Sequence, residues 1–378
     1  MVLTSERLVL PLPLLGDQQS WIWSTLSVLA FILFFTLFGQ RLQVLIWLRD
    51  IERSLIKFDL LAKKGKEAAI KAIKDFGKPE VDPTPALNDF LEFFVIEPVD
   101  RDPFGVLKRL EHLLDEERVK FREFVRRWAP NVDTSVASNL EDVVAVTMAL
   151  NLIYKVVRHY LLLGKRTKSV IIIMQTVYFL PLIMRVAEAY YKSLDAFTSG
   201  KPIGDSAGAL VAAKLMFNHP TFKVAEDMVA SEVPFEGRTL LVVKAEGPGG
   251  KVGKPGDAVV KLVEDRKGQV ARIIMVDAAS KLEGERTGDV AEGVGAAIGD
   301  PGPEKYKIEE IAVKYKIPID AIAIKESLEE AISTIRKEII DGVEVAVERV
   351  KQIIRTRTKN GDCVILVGVG NTIGVGNG

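Results

Sequence analysis

Ala271–Asp277 reads ARIIMVD, an apolar, β-branched run that ends in an acid. It is too short for a helix and apolar on both alternating sets of positions, which predicts a strand buried on both faces of a sheet. Three other runs share this character: Thr239–Ala245 (TLLVVKA), Ile319–Ile324 (IDAIAI) and Cys363–Val367 (CVILV). Helical patterns fall between them at 207–217, 256–264, 304–315 and 326–356. Strand–helix alternation predicts an α/β domain with a mostly parallel sheet over residues 199–378.

Upstream the pattern changes at Thr198-Ser-Gly-Lys-Pro202, beyond which lie most of the 29 glycines. Residues 86–198 read as helices. A charged helix spans 104–128, with Pro130 as its stop, and an apolar one spans 139–163, with Ser138 and Asn139 as caps and Glu141 in its first turn. Glu97-Pro-Val-Asp-Arg-Asp-Pro103 is an acidic punctuation, either a capped turn or a cation or partner contact. From Gln40 to about Phe76 apolar residues recur near the helical period, and Gly77-Lys-Pro and Asp82-Pro-Thr-Pro break the pattern. The predicted architecture is a segment and anchor over 1–39, a helical domain over 40–198, and the α/β domain.

The anchor is Trp21–Gly39, uncharged over 19 residues, with Trp21 and Trp23 at one end and Trp47 past the other. At about 1.5 Å per residue it matches a hydrocarbon core of about 30 Å. Arg41, Arg49, Arg53, Lys57, Lys63, Lys64 and Lys66 follow it, against Arg7 before it. The bias predicts an uncleaved single-pass membrane protein whose C-terminal bulk is cytoplasmic, with the lipid bilayer as a partner. A second apolar stretch, Val170–Met184, is interrupted by Gln175, Thr176 and Pro181, and reads as a buried or membrane-surface helix in preference to a second span.

Composition excludes several classes. At 48% apolar and 27% charged the chain can bury a core. Lys+Arg and Asp+Glu tie at 51, so bulk charge does not point to nucleic acid. Cys363 is the single cysteine, which excludes an intramolecular disulfide or a cysteine metal cluster, and its apolar setting predicts a buried thiol. His112, His159 and His219 lack metal-ligand spacing.

Ligands of open α/β sheets sit at the carboxyl ends of strands, so the acids there are the candidates. Asp277 ends its strand, and Asp205 precedes the helix at 207–217 within Pro-Ile-Gly204-Asp-Ser206, where it could cap the helix or be presented from it. Gly368-Val-Gly370-Asn371 closes the last strand, and an acidic glycine-rich loop carrying Glu285, Asp289 and Glu292 follows Asp277. Glu246–Asp257, with Lys251 and Lys254, lies between a strand and a helix, as a phosphate cradle or a flexible glycine loop. It is not a Walker A loop, because Pro248 and Pro255 stand at two required positions.

Together these pieces carry a resemblance. Residues 276–330, with Asp-Ala at a strand end, a glycine-rich loop, a helix and a second strand, resemble the spore germination protease family, as does Pro202–Ala212 (PIGDSAGALVA). Gly368–Asn371 resembles the strand end shared with the hydrogenase maturation proteases. In those families that strand precedes the acid-bearing helix, so the resemblance implies a circular permutation. It also implies that Asp205 and Asp277 are the two functional acids of an endopeptidase-like hydrolase acting on a protein near the membrane. No histidine follows His219, which speaks against the nickel site of the maturation proteases. The whole chain also resembles an archaeal membrane-protein family of unknown function.

Two carboxylates brought together can share a proton and activate water, or can bind a divalent metal ion with Glu285 or Glu292 as a third ligand. The purely structural alternative is a helix cap at Asp205 and a loop hydrogen bond at Asp277. The rival function is a non-catalytic membrane scaffold or sensor that binds a metal, nucleotide or protein partner.

Overall fold

The structure, a computed structural model, describes residues 17–95, 105–299 and 302–378. The acidic punctuation at 97–103 and the flank holding Arg7 lie outside the described residues. The described residues fall into two compact units, one within residues 1–54 and 157–180 and the other within 55–156 and 181–378.

The N-terminal half is helical. Helix α1 runs Asp17–Ala72 and ends in a π-turn at Ile73–Gly77, where the sequence breaks at Gly77-Lys-Pro. Then come α2 (Thr84–Phe90), α3 (Val106–Trp128), α4 (Thr134–Thr167) and α5 (Val170–Ser199). Helix α4 starts five residues earlier than Asn139, because Asp133 caps it: its carboxylate accepts from the Ser135 and Val136 N–H groups at 2.8 and 3.0 Å. Ser138 and Asn139 are therefore inside the helix and not its caps.

Expectation and structure differ on the membrane helix. The helix long and apolar enough to cross a membrane, among the described residues, is α5 and not the N-terminal one. Within α1 the described apolar run is Trp21–Phe34, shorter than the roughly 20 residues a span needs. The stretch expected to be buried or to lie on a surface is thus the better candidate by length and composition, and only 17% of its apolar window is buried.

The C-terminal half carries a seven-stranded sheet. In chain order its elements are a 3-10 turn at Gly204–Ser206, α6 (Ala207–Met216), β1 (Thr221–Ala225), β2 (Met228–Phe235), β3 (Arg238–Ala245), α7 (Pro255–Asp265), β4 (Arg272–Ser280), β5 (Val290–Val294), α8 (Pro303–Tyr315), β6 (Ile319–Glu326), α9 (Leu328–Ala331), α10 (Lys337–Arg357) and β7 (Cys363–Gly368). The order is β1-β2-β3-β7-β4-β6-β5. The expected strands β3, β7, β4 and β6 run parallel at the centre. The sheet is mixed, because β1 and β2 add an antiparallel meander and β5 an antiparallel edge.

These three strands were not legible as buried runs: Pro234 interrupts β2, and β5 is a glycine-containing segment of the expected acidic loop. Their turns carry the positive φ angles that tight hairpins require, at Asp227, Glu236 and Gly237. The helical pattern at 326–356 also divides, since β6 extends to Glu326 before α9 and α10 begin.

Alternation along β4 feeds two cores. Ile274 and Val276 pack with α6 and α10, whereas Ile273 and Met275 pack with α7 and α8. The last strand in sequence, β7, is the central one, and all six of its residues are buried. Cys363 is buried, as expected.

Candidate functional site: a carboxyl cluster at the sheet edge

The carboxyl ends of β7, β4 and β6 share one edge, and three elements bring acids to it. Asp277 lies near the end of β4 and is 6% exposed. Its Oδ1 accepts from the Ala278 N–H at 2.8 Å, and the Gly299 N–H also bonds to it. Asp205 is presented from the turn before α6, where β7 has just ended. There Asn371 N–H donates to Asp205 Oδ2 at 2.7 Å. This contact depends on Gly370, whose φ of +115° suits glycine, and a Cβ there would collide with the Asp205 carbonyl oxygen. Gly368, just upstream, pairs with Val276 and Lys244 in the sheet.

Two further acids complete the cluster, and neither was singled out from the sequence. Glu326, the last residue of β6, is 2% exposed, and neither carboxylate oxygen has a hydrogen-bond partner among the described residues. Its Oε2 approaches Gly204 so closely that a Cβ there would collide with it. Asp142 comes from α4, and Asn371 Nδ2 donates to its Oδ2 at 3.3 Å. No spacing rule would have found Asp142, because it sits 63 positions before Asp205 in the other half of the chain. Glu326 lies two residues past the predicted strand Ile319–Ile324, at the head of the helical pattern expected over 326–356, so its place at a strand end was hidden.

The electrostatics follow from burial without a counter-ion. Burial raises the Asp277 carboxyl to about 7, with a further push from Asp205. Burial likewise raises Glu326 to about 8, with added repulsion from Asp205, Glu330 and Asp277. Asp142 is pushed well above the carboxylate range by burial and by Glu141 and Asp205, despite the Asn371 amide. Burial raises Asp205 too, against the bond from Asn371. Asp142 and Asp205 are part-exposed as whole residues, but their carboxyl groups are buried like the other two. No lysine or arginine is among the causes acting on these four acids.

The other expected site residues go elsewhere. Glu285 pairs with Lys325 and accepts from the Leu282 N–H at 2.8 Å. Glu292, on the edge strand β5, pairs with Arg349 at 3.1 Å and Arg357 at 3.2 Å. Neither joins Asp277 as a third ligand. Lys251 already faces Asp227 at 2.8 Å and Glu246 at 3.1 Å, and Lys254 faces Asp115 at 2.9 Å. The N–H groups of Gly247 and Gly250 are taken by Asn377 and Asn139. The glycine loop is thus a packed clasp under the tail, where Thr372 Oγ1 donates to the Gly249 carbonyl at 2.8 Å, and its cations are already neutralised. Gly204 N–H donates to the Ser333 carbonyl, and Ser206 Oγ accepts from the Ile203 N–H, so both shape the turn that carries Asp205.

Metal fit can be judged on spacing. Among the described residues, the three-acid group with oxygens all within 4.8 Å of one another is Glu111, Asp257 and Glu304. The Lys307 ammonium already sits among them, at 2.6, 2.5 and 3.0 Å. Asp205, Asp277 and Glu326 are spaced more widely. His219 Nδ1 lies 2.9 Å from the Phe217 carbonyl, so that ring is engaged at the end of α6. A nickel centre with a histidine ligand does not fit.

A family model described as the DUF1512 N-terminal domain, of unknown function, matches residues 25–200, and one described as the DUF1512 C-terminal domain matches 203–376. The chain belongs to the DUF1512 family. No curated protein matches it. The junction between the two DUF1512 models falls just before the turn that carries Asp205. The carboxyl cluster draws Asp142 from the N-terminal DUF1512 domain and Asp205, Asp277 and Glu326 from the C-terminal one.

Proposed function

We propose that this DUF1512 protein is a hydrolase, an endopeptidase acting on proteins at a membrane surface on the cytoplasmic side, with Asp205 and Asp277 as the working pair. The observation that carries it is the convergence of four pKa-raised carboxyl groups, without a counter-cation, at the carboxyl edge of the central strands. Unpaired buried carboxyls cost stability, so a fold that retains several of them points to use.

Asp277, at about 7, can take or give a proton near neutral pH. Asp205, oriented by Asn371, positions the attacking water, and Asp277 takes its proton. Glu326, at about 8, stays protonated at neutral pH and keeps its side of the cluster electrically neutral. Asn371 ties Asp142 to Asp205. The likeness to germination and maturation proteases supports the same pair, with β7 at the sheet centre as a permuted domain requires.

A second reading is a cation-binding scaffold or sensor, favoured by the two bare oxygens of Glu326. It requires the acids to close in from their present spacing.

The test compares protein termini in membranes from wild type and from an Asp205→Asn/Asp277→Asn strain. Cleavage products should fall by about 100-fold or more, the usual size of an acid–base contribution. The protease reading fails if every cleavage product persists in the variant strain. Calorimetric titration of the purified chain with Mg²⁺ and Mn²⁺ decides the second reading: saturable binding lost in Glu326→Gln supports it.

A further inference from the structure

The chain leaves its larger unit after residue 156 and returns to it at 181. Inside that unit, Gly250 N–H donates to Asn139 at 2.9 Å and Asn371 reaches Asp142, so the start of α4 and the sheet domain lie on one side of any membrane. A single crossing by α5 would separate them. Helices α4 and α5 instead turn back on each other at Lys168, within the stretch 157–180. Its two arms, the end of α4 and the start of α5 on either side of Lys168, each extend about 16 Å at about 1.5 Å per residue.

The chemistry of the hairpin matches an interface and not a bilayer centre. It contains Arg158, Lys165, Arg166 and Lys168 and no acidic residue. Ile173, Leu161 and Val157 are buried, and Gly164 on one arm gives Ile173 on the other its close approach. Tyr160, Leu162, Ile171, Met174, Tyr178 and Phe179 point outward, with Ile171 63% and Tyr178 78% exposed. Aromatic rings and long cationic side chains flanking an apolar face are the composition of a helix seated among lipid headgroups.

We infer that residues 157–180 form a basic, aromatic hairpin that docks in the headgroup layer of an anionic bilayer without crossing it. Lys165 is held by Glu52 within the same unit, which leaves Arg158, Arg166 and Lys168 as the exposed cations that meet the lipid. Anionic lipid attracts such cations over about a Debye length. This inference does not depend on the hydrolase proposal.

The test uses the full chain reconstituted into vesicles of phosphatidylcholine, with or without one third phosphatidylglycerol. Ile171→Cys, Tyr178→Cys and a control on α10, Val345→Cys, are each labelled with a polarity-sensitive fluorophore, while Cys363 is buried. Brominated lipid should quench labels at 171 and 178 roughly twofold more than at 345, and only with anionic lipid present. Arg158→Glu/Arg166→Glu/Lys168→Glu, checked for native helix content by circular dichroism, should drop both to the control level. Quenching equal to the control, or indifferent to lipid charge, overturns the inference in the unmodified background alone. So does strongest quenching by lipid brominated at the bilayer centre, which marks a span, or energy transfer between labelled copies in place of lipid quenching.

Discussion

Two acidic clusters sit in the same unit of this protein and have been handled in opposite ways. Glu111, Asp257 and Glu304 bring their oxygens within 4.8 Å of one another, and Lys307 fills the gap, its own pKa raised by the three carboxylates against the cost of burial. Asp142, Asp205, Asp277 and Glu326 have no such cation, and burial leaves all four carboxyl groups raised. The first cluster links α3 to α7 and α8 and is stabilising. The second lowers stability at neutral pH, and it lies where α/β folds hold ligands. Charge pairing therefore separates structural acids from candidate working ones better than acid density does.

The largest loss of stability should come from emptying the paired cluster. Lys307→Met leaves three carboxylates facing one another. After discounting for the partial exposure of Asp257, it should cost about 2–3 kcal/mol by urea unfolding at pH 7. Millimolar Ca²⁺ should restore part of the loss, since the oxygens are already at bridging distance. A loss below about 0.5 kcal/mol would erase the contrast between the clusters.

Removing a charge from the unpaired cluster should do the reverse. A carboxyl whose folded pKa lies above its unfolded one holds its proton longer in the folded state. Stability is then fully present below the unfolded value, near pH 4, and declines as pH rises toward the folded values of about 7 and 8. Glu326→Gln mimics the protonated form, so its advantage over wild type should grow by about 4 kcal/mol between pH 5 and pH 9, read from denaturant midpoints. Equal pH slopes in the two proteins would show that Glu326 is not held protonated. Asn371→Ala should be the mildest, at about 1–2 kcal/mol, because Asp205 is held by the main-chain N–H and the bonds lost are those to Asp142 and from the buried Ile373 N–H.

Much of the architecture was legible. Four strands buried on both faces announce themselves by composition, and β3, β4, β6 and β7 fall where ARIIMVD and its counterparts predict. The meander and the edge were not legible, because β1, β2 and β5 are partly polar and take their identity from neighbours across the ladder. Of the candidate site, Asp277 and Asn371 were found by their place at strand ends and Asp205 by its place just before a helix. Glu285, Glu292 and Lys251 had the same local credentials but met opposite charges on other elements.

By itself the sequence determined what local chemistry can determine: the period of each element, the Gly370 turn, the absence of a cysteine framework, and which strands lie in the sheet centre. Which acids keep their charges unpaired was decided only by the tertiary structure. Pairing is a matter of distances between residues far apart in the chain, such as Asp142 and Asn371, and no spacing along the sequence encodes it.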